Sequence, residues 1–181
     1  MKRFACITLL LLAYGVVQAQ TGTNALYEKS YRYVKTVANG TSAYSTGQCV
    51  GTLDSLDFRP GGEIGLLAPL GSWLFLQSVG LADSIKNDAR IDWVLFNDRP
   101  TAVTDAAAWT PTYADLKKIV AVIPLGNTYY DGANNSFDDE PQVNRMLIAP
   151  TKGYLWYVLV IRATKTWSVA STVWLKPIFF R

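Results

Sequence analysis

The sequence predicts an all-β protein built as a single antiparallel β-sandwich. Three observations lead there. Short apolar runs rich in branched and aromatic residues recur at spacings of tens of residues. Turn-forming residues separate them, and nothing reads as the strand–helix–strand repeat of a parallel sheet. The chain has 181 residues, 50% of them hydrophobic and 13% aromatic, enough for one domain with a full core.

Taken in order, the chain divides into residues 1–19, 20–41 and 42–181. MKRFACITLLLLAYGVVQAQ begins with Lys2 and Arg3, continues with the apolar run Phe4 to Val17, and reaches small residues at Ala19. That is the layout of a secretory leader cut after Ala19. The run is too short for a comfortable membrane span of about 20 residues. The competing reading is an apolar arm that buries itself in an assembly. Residues 20–41 read as an extended N-terminal arm. Tyr31, Tyr33, Lys35 and Val37 alternate with Arg32, Val34 and Thr36, and Asn39-Gly40 marks a turn.

Gln48 to Leu53 is the first strand of the sandwich, and Arg59-Pro60-Gly61-Gly62 a turn. SWLFLQSV (Ser72 to Val79), IDWVLF (Ile91 to Phe96) and IVAVIP (Ile119 to Pro124) follow as strands. YLWYVLVIRAT (Tyr154 to Thr164) is nearly continuous in apolar residues, so a central strand covered on both faces is expected. STVWLKPIFF (Ser171 to Phe180) is the last strand, and Pro177 favours an edge or a strand end. YADLKK (Tyr113 to Lys118) is the exception: one helical turn capped by Thr112, with Asp115 near its N-terminus. Gly126 to Asn144 reads as the longest irregular piece.

Composition narrows the function classes. Net charge is +3; without Lys2 and Arg3 it is 15 basic against 14 acidic residues, or +1. Such a balance makes no electrostatic case for nucleic acid. The chain has no histidine, so the usual general base and the commonest transition-metal ligand are missing. Cys49 is expected to pack in its strand, and without histidine to activate it a lone cysteine is a poor nucleophile.

Asp92, Asp98, Asp105 and Asp115 crowd into one stretch and raise the question of a carboxylate site. Each has an ordinary structural task. Asp92 sits on an exposed strand face or bonds a neighbouring backbone. Asp98 opens a turn before Arg99-Pro100. Asp105 caps a turn, and Asp115 sits in the YADLKK turn. DGANNSFDDE (Asp131 to Glu140) has oxygens suited to calcium but does not follow the EF-hand spacing. A solvated loop is the plainer reading. Asn39-Gly40-Thr41 and Asn134-Asn135-Ser136 are formal glycosylation acceptors.

Of the six tryptophans, Trp73, Trp93, Trp156 and Trp174 fall in strand runs, where core positions are favoured. Trp109 and Trp167 are flanked by polar or turn residues. They are the candidates for an exposed partner or ligand surface, together with Tyr129, Tyr130, Asp131, Asn134 and Asn135.

Three stretches carry a resemblance: SAYSTGQCVG, then SWLFLQSVGLADSIKNDARIDWVLFNDRPTAVTDAAAWTPTYADLKKIVAVIPLG, then GYLWYVLVIRATKTWSVASTVWLKPIF. In order and residue type they resemble a family of small tailed-phage structural proteins. The points of likeness are a glycine-preceded turn before the first core strand (Tyr44 to Gly51) and an aspartate soon after a strand (Asp83). Phe96 and the Pro100 turn follow, then Asp105, the Asp115-Leu116 pair and the RAT step at Arg162 to Thr164. The resemblance spans roughly Ser42 to Phe180. It implies a jelly-roll-like sandwich on the outside of a virion head, an accessory, decoration or head-fibre-type protein. The implied partners are the major capsid protein or other virion proteins and further copies of the chain, with no catalysis and no cofactor.

The alternative is an exported binding module, secreted or periplasmic after loss of residues 1–19, for carbohydrate or a surface partner. It would use Trp109, Tyr129, Tyr130 and the Asn/Asp loop. The leader-like start favours it, and DGANNSFDDE is an insertion relative to the compact phage pattern.

Overall fold

The structure, a computed structural model, describes residues 30–32, 35–38, 43–59, 61–62, 71, 73–83, 89–126, 129–132, 136–140, 143–148, 152–166 and 172–180. The leader-like segment, the Asn39-Gly40 turn, Asn134, Asn135 and Trp167 lie outside these residues.

The strands are β1 (Ser30–Arg32), β2 (Lys35–Ala38), β3 (Ala43–Tyr44), β4 (Cys49–Asp57), β5 (Trp73–Asp83), β6 (Ile91–Phe96) and β7 (Ile119–Leu125). They continue as β8 (Tyr129–Asp131), β9 (Ser136–Glu140), β10 (Arg145–Ile148), β11 (Tyr154–Ile161), β12 (Lys165–Thr166) and β13 (Thr172–Phe180). One short helix, α1 (Tyr113–Leu116), precedes β7.

Among the described residues these strands form two packed antiparallel layers. The large sheet runs β1-β13-β5-β9-β8, with β2 also on β13 and β10 also on β5. The small sheet runs β4-β11-β6-β7, and β12 and β3 make a separate pair. The chain passes between layers at β4–β5, β5–β6, β7–β8 and β10–β11, and by way of the β3 and β12 pair at β2–β4 and β11–β13. This is the expected antiparallel sandwich.

Period-two patterning fills the space between the layers. The small sheet contributes Leu56, Ile91, Trp93, Leu95, Ile123, Leu155, Tyr157 and Leu159. The large sheet answers with Leu74, Leu76, Val79, Leu81, Leu147, Leu175 and Phe179. Trp93 is fully buried and meets Tyr157 edge-on, ring centroids 6.1 Å apart. Phe58 meets Phe179 of the opposite layer the same way at 5.5 Å. Such edge-to-face pairs add about 1 kcal/mol beyond the area they bury.

Three elements differ from the sequence reading. Gly126 to Asn144 is largely a hairpin: Tyr129, Tyr130 and Asp131 pair with Asp138, Phe137 and Ser136. Its polar turn chemistry hid two strands, the second of which alternates with Ser136 and Asp138 inward. Pro177 is not at an edge, because β13 lies between β5 and the β1 and β2 pair. Pro177 itself stands opposite Val79 in the ladder with β5. Trp73 begins β5 but is 62% exposed, so its strand position does not place it in the core.

The expectation for β11 is met, and its cause is specific. Leu155, Tyr157, Leu159 and Ile161 face the core. Val158 and Val160 face outward with Val94 and Phe96 of β6, yet all four are buried. Residues 97–118 cover them, and the Asn97 N–H to Lys118 carbonyl bond (3.0 Å) closes the base of this covering segment.

Candidate functional site

The covering segment is where the aspartates of the sequence gather. It is fastened at a fault in β4. The ladder between β4 and β11 shifts register between Tyr157 and Leu159, at a bulge containing Gly51 with φ +74°. The freed Gly51 N–H donates to Asp105 Oδ1 at 2.7 Å. The buried Tyr44 hydroxyl donates to both oxygens of the same carboxylate, at 2.8 and 3.0 Å. Asp105 is therefore more than a local cap: it fixes the covering segment to the bulge.

The backbone completes that attachment. Cys49 N–H donates to the Ala107 carbonyl, Ala106 N–H to the Cys49 carbonyl, and Trp109 N–H to the Gly47 carbonyl, at 2.8–2.9 Å. Along Gln48 and Cys49 the edge of β4 is thus occupied, which guards it against stray pairing. Trp109 is half-buried against the outer face of the small sheet, not open as its flanking residues suggested.

At the far end of the segment Thr112 caps α1. Its hydroxyl accepts from Asp115 N–H at 3.2 Å, and Asp115 Oδ2 accepts from Thr112 N–H in return, a reciprocal capping box. Asp115 also takes the Thr101 N–H (3.0 Å) and the hydroxyls of Thr101 and Thr112 (each 2.8 Å). Those donors, Thr112 first and then Thr101, hold its carboxyl far below the usual carboxylate range. A carboxylate so fully engaged has no lone pair to spare for proton transfer.

Between these anchors lies a small cleft of about 160 Å³, walled by Pro100, Val103, Trp109 and Pro111 and floored by Thr101 and Asp115. It is below the roughly 300 Å³ at which small-molecule sites begin. The two groups of its floor, Thr101 and Asp115, are already joined to each other.

The other aspartates are equally occupied. Asp98 accepts from Arg99 N–H and from Lys152 Nζ, each at 2.9 Å. Asp92 faces Arg162 at 3.2 Å; burial raises its carboxyl and Arg162 partly offsets that. Cys49 is buried in β4, and burial, helped by Asp105, pushes its thiol up to about 11, which suppresses the thiolate. Among the described residues no three or more Cys, Asp or Glu side chains gather as a cation would need.

The proposed surface residues do not form one patch. Tyr129 is half-buried, and its hydroxyl donates to the Ala89 carbonyl. A β-carbon at Gly126 (φ +78°) would run into that carbonyl and that hydroxyl, so glycine is required there. Gly126 N–H donates to buried Asp138 Oδ2 at 2.6 Å. Tyr130, next along β8, is 68% exposed. Trp109 attaches beside β4, while β8 follows β7 at the opposite edge of the small sheet.

Sequence reasoning missed a ridge where the small sheet emerges from under its cover. Tyr154 and Trp156 alternate outward on β11, ring centroids 5.8 Å apart. The Arg59 guanidinium lies 4.3 Å above Tyr154, and that of Arg99 lies 5.2 Å above Trp156. Asp57 holds Arg59 through two bonds, 2.9 and 2.7 Å. The Y-x-W spacing was visible in YLWYVLVI; the two arginines come from distant turns.

Among the described residues no helix is long and apolar enough to cross a membrane. No family model matches the chain, and no curated protein matches it.

Proposed function

We propose that the chain is a non-enzymatic structural protein of a tailed-phage virion, an accessory or decoration protein bound to the capsid surface. The observation that carries this reading is the ordered resemblance of residues 42–180 to that family. Support comes from what those residues do here: Gly51 sits in the bulge, Asp105 fixes the cover to it, and Asp115 closes the cap with Thr112. Such a protein works by surface complementarity, many copies each docking a rigid face. Exposed Trp73 and Met146 are suitable anchors for a capsid protein or for another copy.

The test is sedimentation of the native material with intact-mass measurement. Full-length chain travelling with particles supports the reading. Chain beginning at Gln20, free of particles and in the envelope fraction, defeats it. That result favours the second reading, an exported binding module for carbohydrate or a surface partner, which rests on the leader-like residues 1–19. Tyr130, exposed on an edge strand, is its best aromatic contact. A glycan screen in which Tyr130→Ala binds as well as the parent would exclude that contact.

A further inference from the structure

We propose that the arginine-roofed end of the small sheet is a docking surface for an acidic segment of a protein partner. Arg99 is the residue that takes the partner's carboxylate. The inference holds for a capsid partner or any other, and does not rest on the virion reading.

Cation bookkeeping on the ridge singles out Arg99. Arg59 is paired with Asp57, Lys152 with Asp98, and Lys118 with Asp115. The Arg99 guanidinium pairs with no carboxylate of the described residues, although it is exposed and held in place. Trp156 supports one face of it. Its backbone is pinned from both sides: the N–H donates to Asp98 at 2.9 Å and the carbonyl accepts from Lys118 Nζ at 2.7 Å. A guanidinium held beside an aromatic ring keeps its planar fork of N–H donors, and a planar carboxylate can meet two of them at once. Preorganisation of this kind lowers the ordering cost of binding.

The same geometry selects among ligand classes. A sugar needs an open aromatic face, but Arg59 and Arg99 occupy faces of Tyr154 and Trp156. A nucleic-acid strand needs a run of unpaired cations, whereas among the described residues the ridge offers only Arg99. An Asp or Glu side chain on a protein surface needs one fork, with Lys152 and Arg59 nearby to steer it.

The test uses the full chain and a fluorescein-labelled hexaglutamate peptide, followed by anisotropy at about 20 mM and about 300 mM salt. Binding should weaken with salt. Arg99→Ala should weaken it at least roughly tenfold, Arg99→Lys nearly as much because the planar two-donor fork is gone, and Arg59→Ala less than about threefold. Thermal unfolding of each variant checks that it is folded. Arg99→Lys keeps the charge and serves should Arg99→Ala fail to fold. No peptide binding by the parent chain overturns the proposal, as does Arg99→Lys binding like the parent. Tighter, Arg99-dependent binding of a twelve-residue oligothymidylate would also overturn it, in favour of a phosphate ligand.

Discussion

The two outer faces of the sandwich are built from similar residues and end differently. On the small sheet, Val94, Phe96, Val158 and Val160 point away from the core yet are buried under Val103, Trp109 and their neighbours. On the large sheet, Trp73 and Met146 also point away from the core and remain 62% and 63% exposed. Met146 lies opposite Phe75 in the ladder, so these residues form one apolar strip. Strand composition is the same in kind. The difference is residues 97–118, which leave the small sheet, lie across it and return to it. Similar outward apolar residues are therefore buried or exposed according to whether the chain supplies a lid, as residues 97–118 do over the small sheet.

This comparison can be broken, and most severely at Trp109. Trp109→Ala should cost roughly 2–3 kcal/mol, below the 3–5 kcal/mol of a fully buried tryptophan because it is half-buried. Urea unfolding measures it, and a cost near zero would mean that Trp109 does not seal the face. Tyr44→Phe comes next, at about 1–1.5 kcal/mol, since it removes the buried hydroxyl bonded to Asp105.

Thr112→Ala should cost about 1 kcal/mol by removing the cap of α1. The same site sets an acid limit. The Asp115 carboxyl is held below its unfolded value, near 3.9. Its contribution is thus complete above about pH 4–5 and lost as pH falls further. Thermal midpoints from pH 6 downward should drop along that course, and Thr112→Ala should make the drop shallower. An unchanged slope would show that Thr112 does not govern Asp115. The smallest effect on stability belongs to the uncovered face: Trp73→Ser should stay within about 0.5 kcal/mol. Its effect should appear instead as weaker self-association in light scattering, because an exposed apolar strip is what drives such contacts.

Much of this fold is legible before any coordinates. β5, β6, β7, β11 and β13 stand in the runs where branched and aromatic residues concentrate, and Thr112 with Asp115 spells a helix start. Local signals suffice because strand propensity and capping act over a few residues. What stays hidden depends on contacts distant in sequence. Tyr44 and Asp105 are 61 positions apart, and nothing local pairs them. The Gly51 bulge is a property of two strands, not of one. The β8–β9 hairpin is hidden by its own composition, since asparagine, aspartate and glycine read as loop. Arg99 looks like one more turn residue until Trp156 is seen beneath it.

The large sheet has a consequence for how the protein is made. β1 and β2 keep one register along β13, so Ser30 finds its neighbour in Phe180. β13 also supplies the neighbour of β5. A strand from near the front of the domain and one from its first half both wait for the last described strand before either ladder closes. The sandwich therefore cannot be completed from the front during synthesis, and its rate of formation should reflect that long search, milliseconds to seconds being typical of such wiring. Until then one edge of β5, including Leu76 and Val79, is an open template for any passing strand, most dangerously another copy of itself.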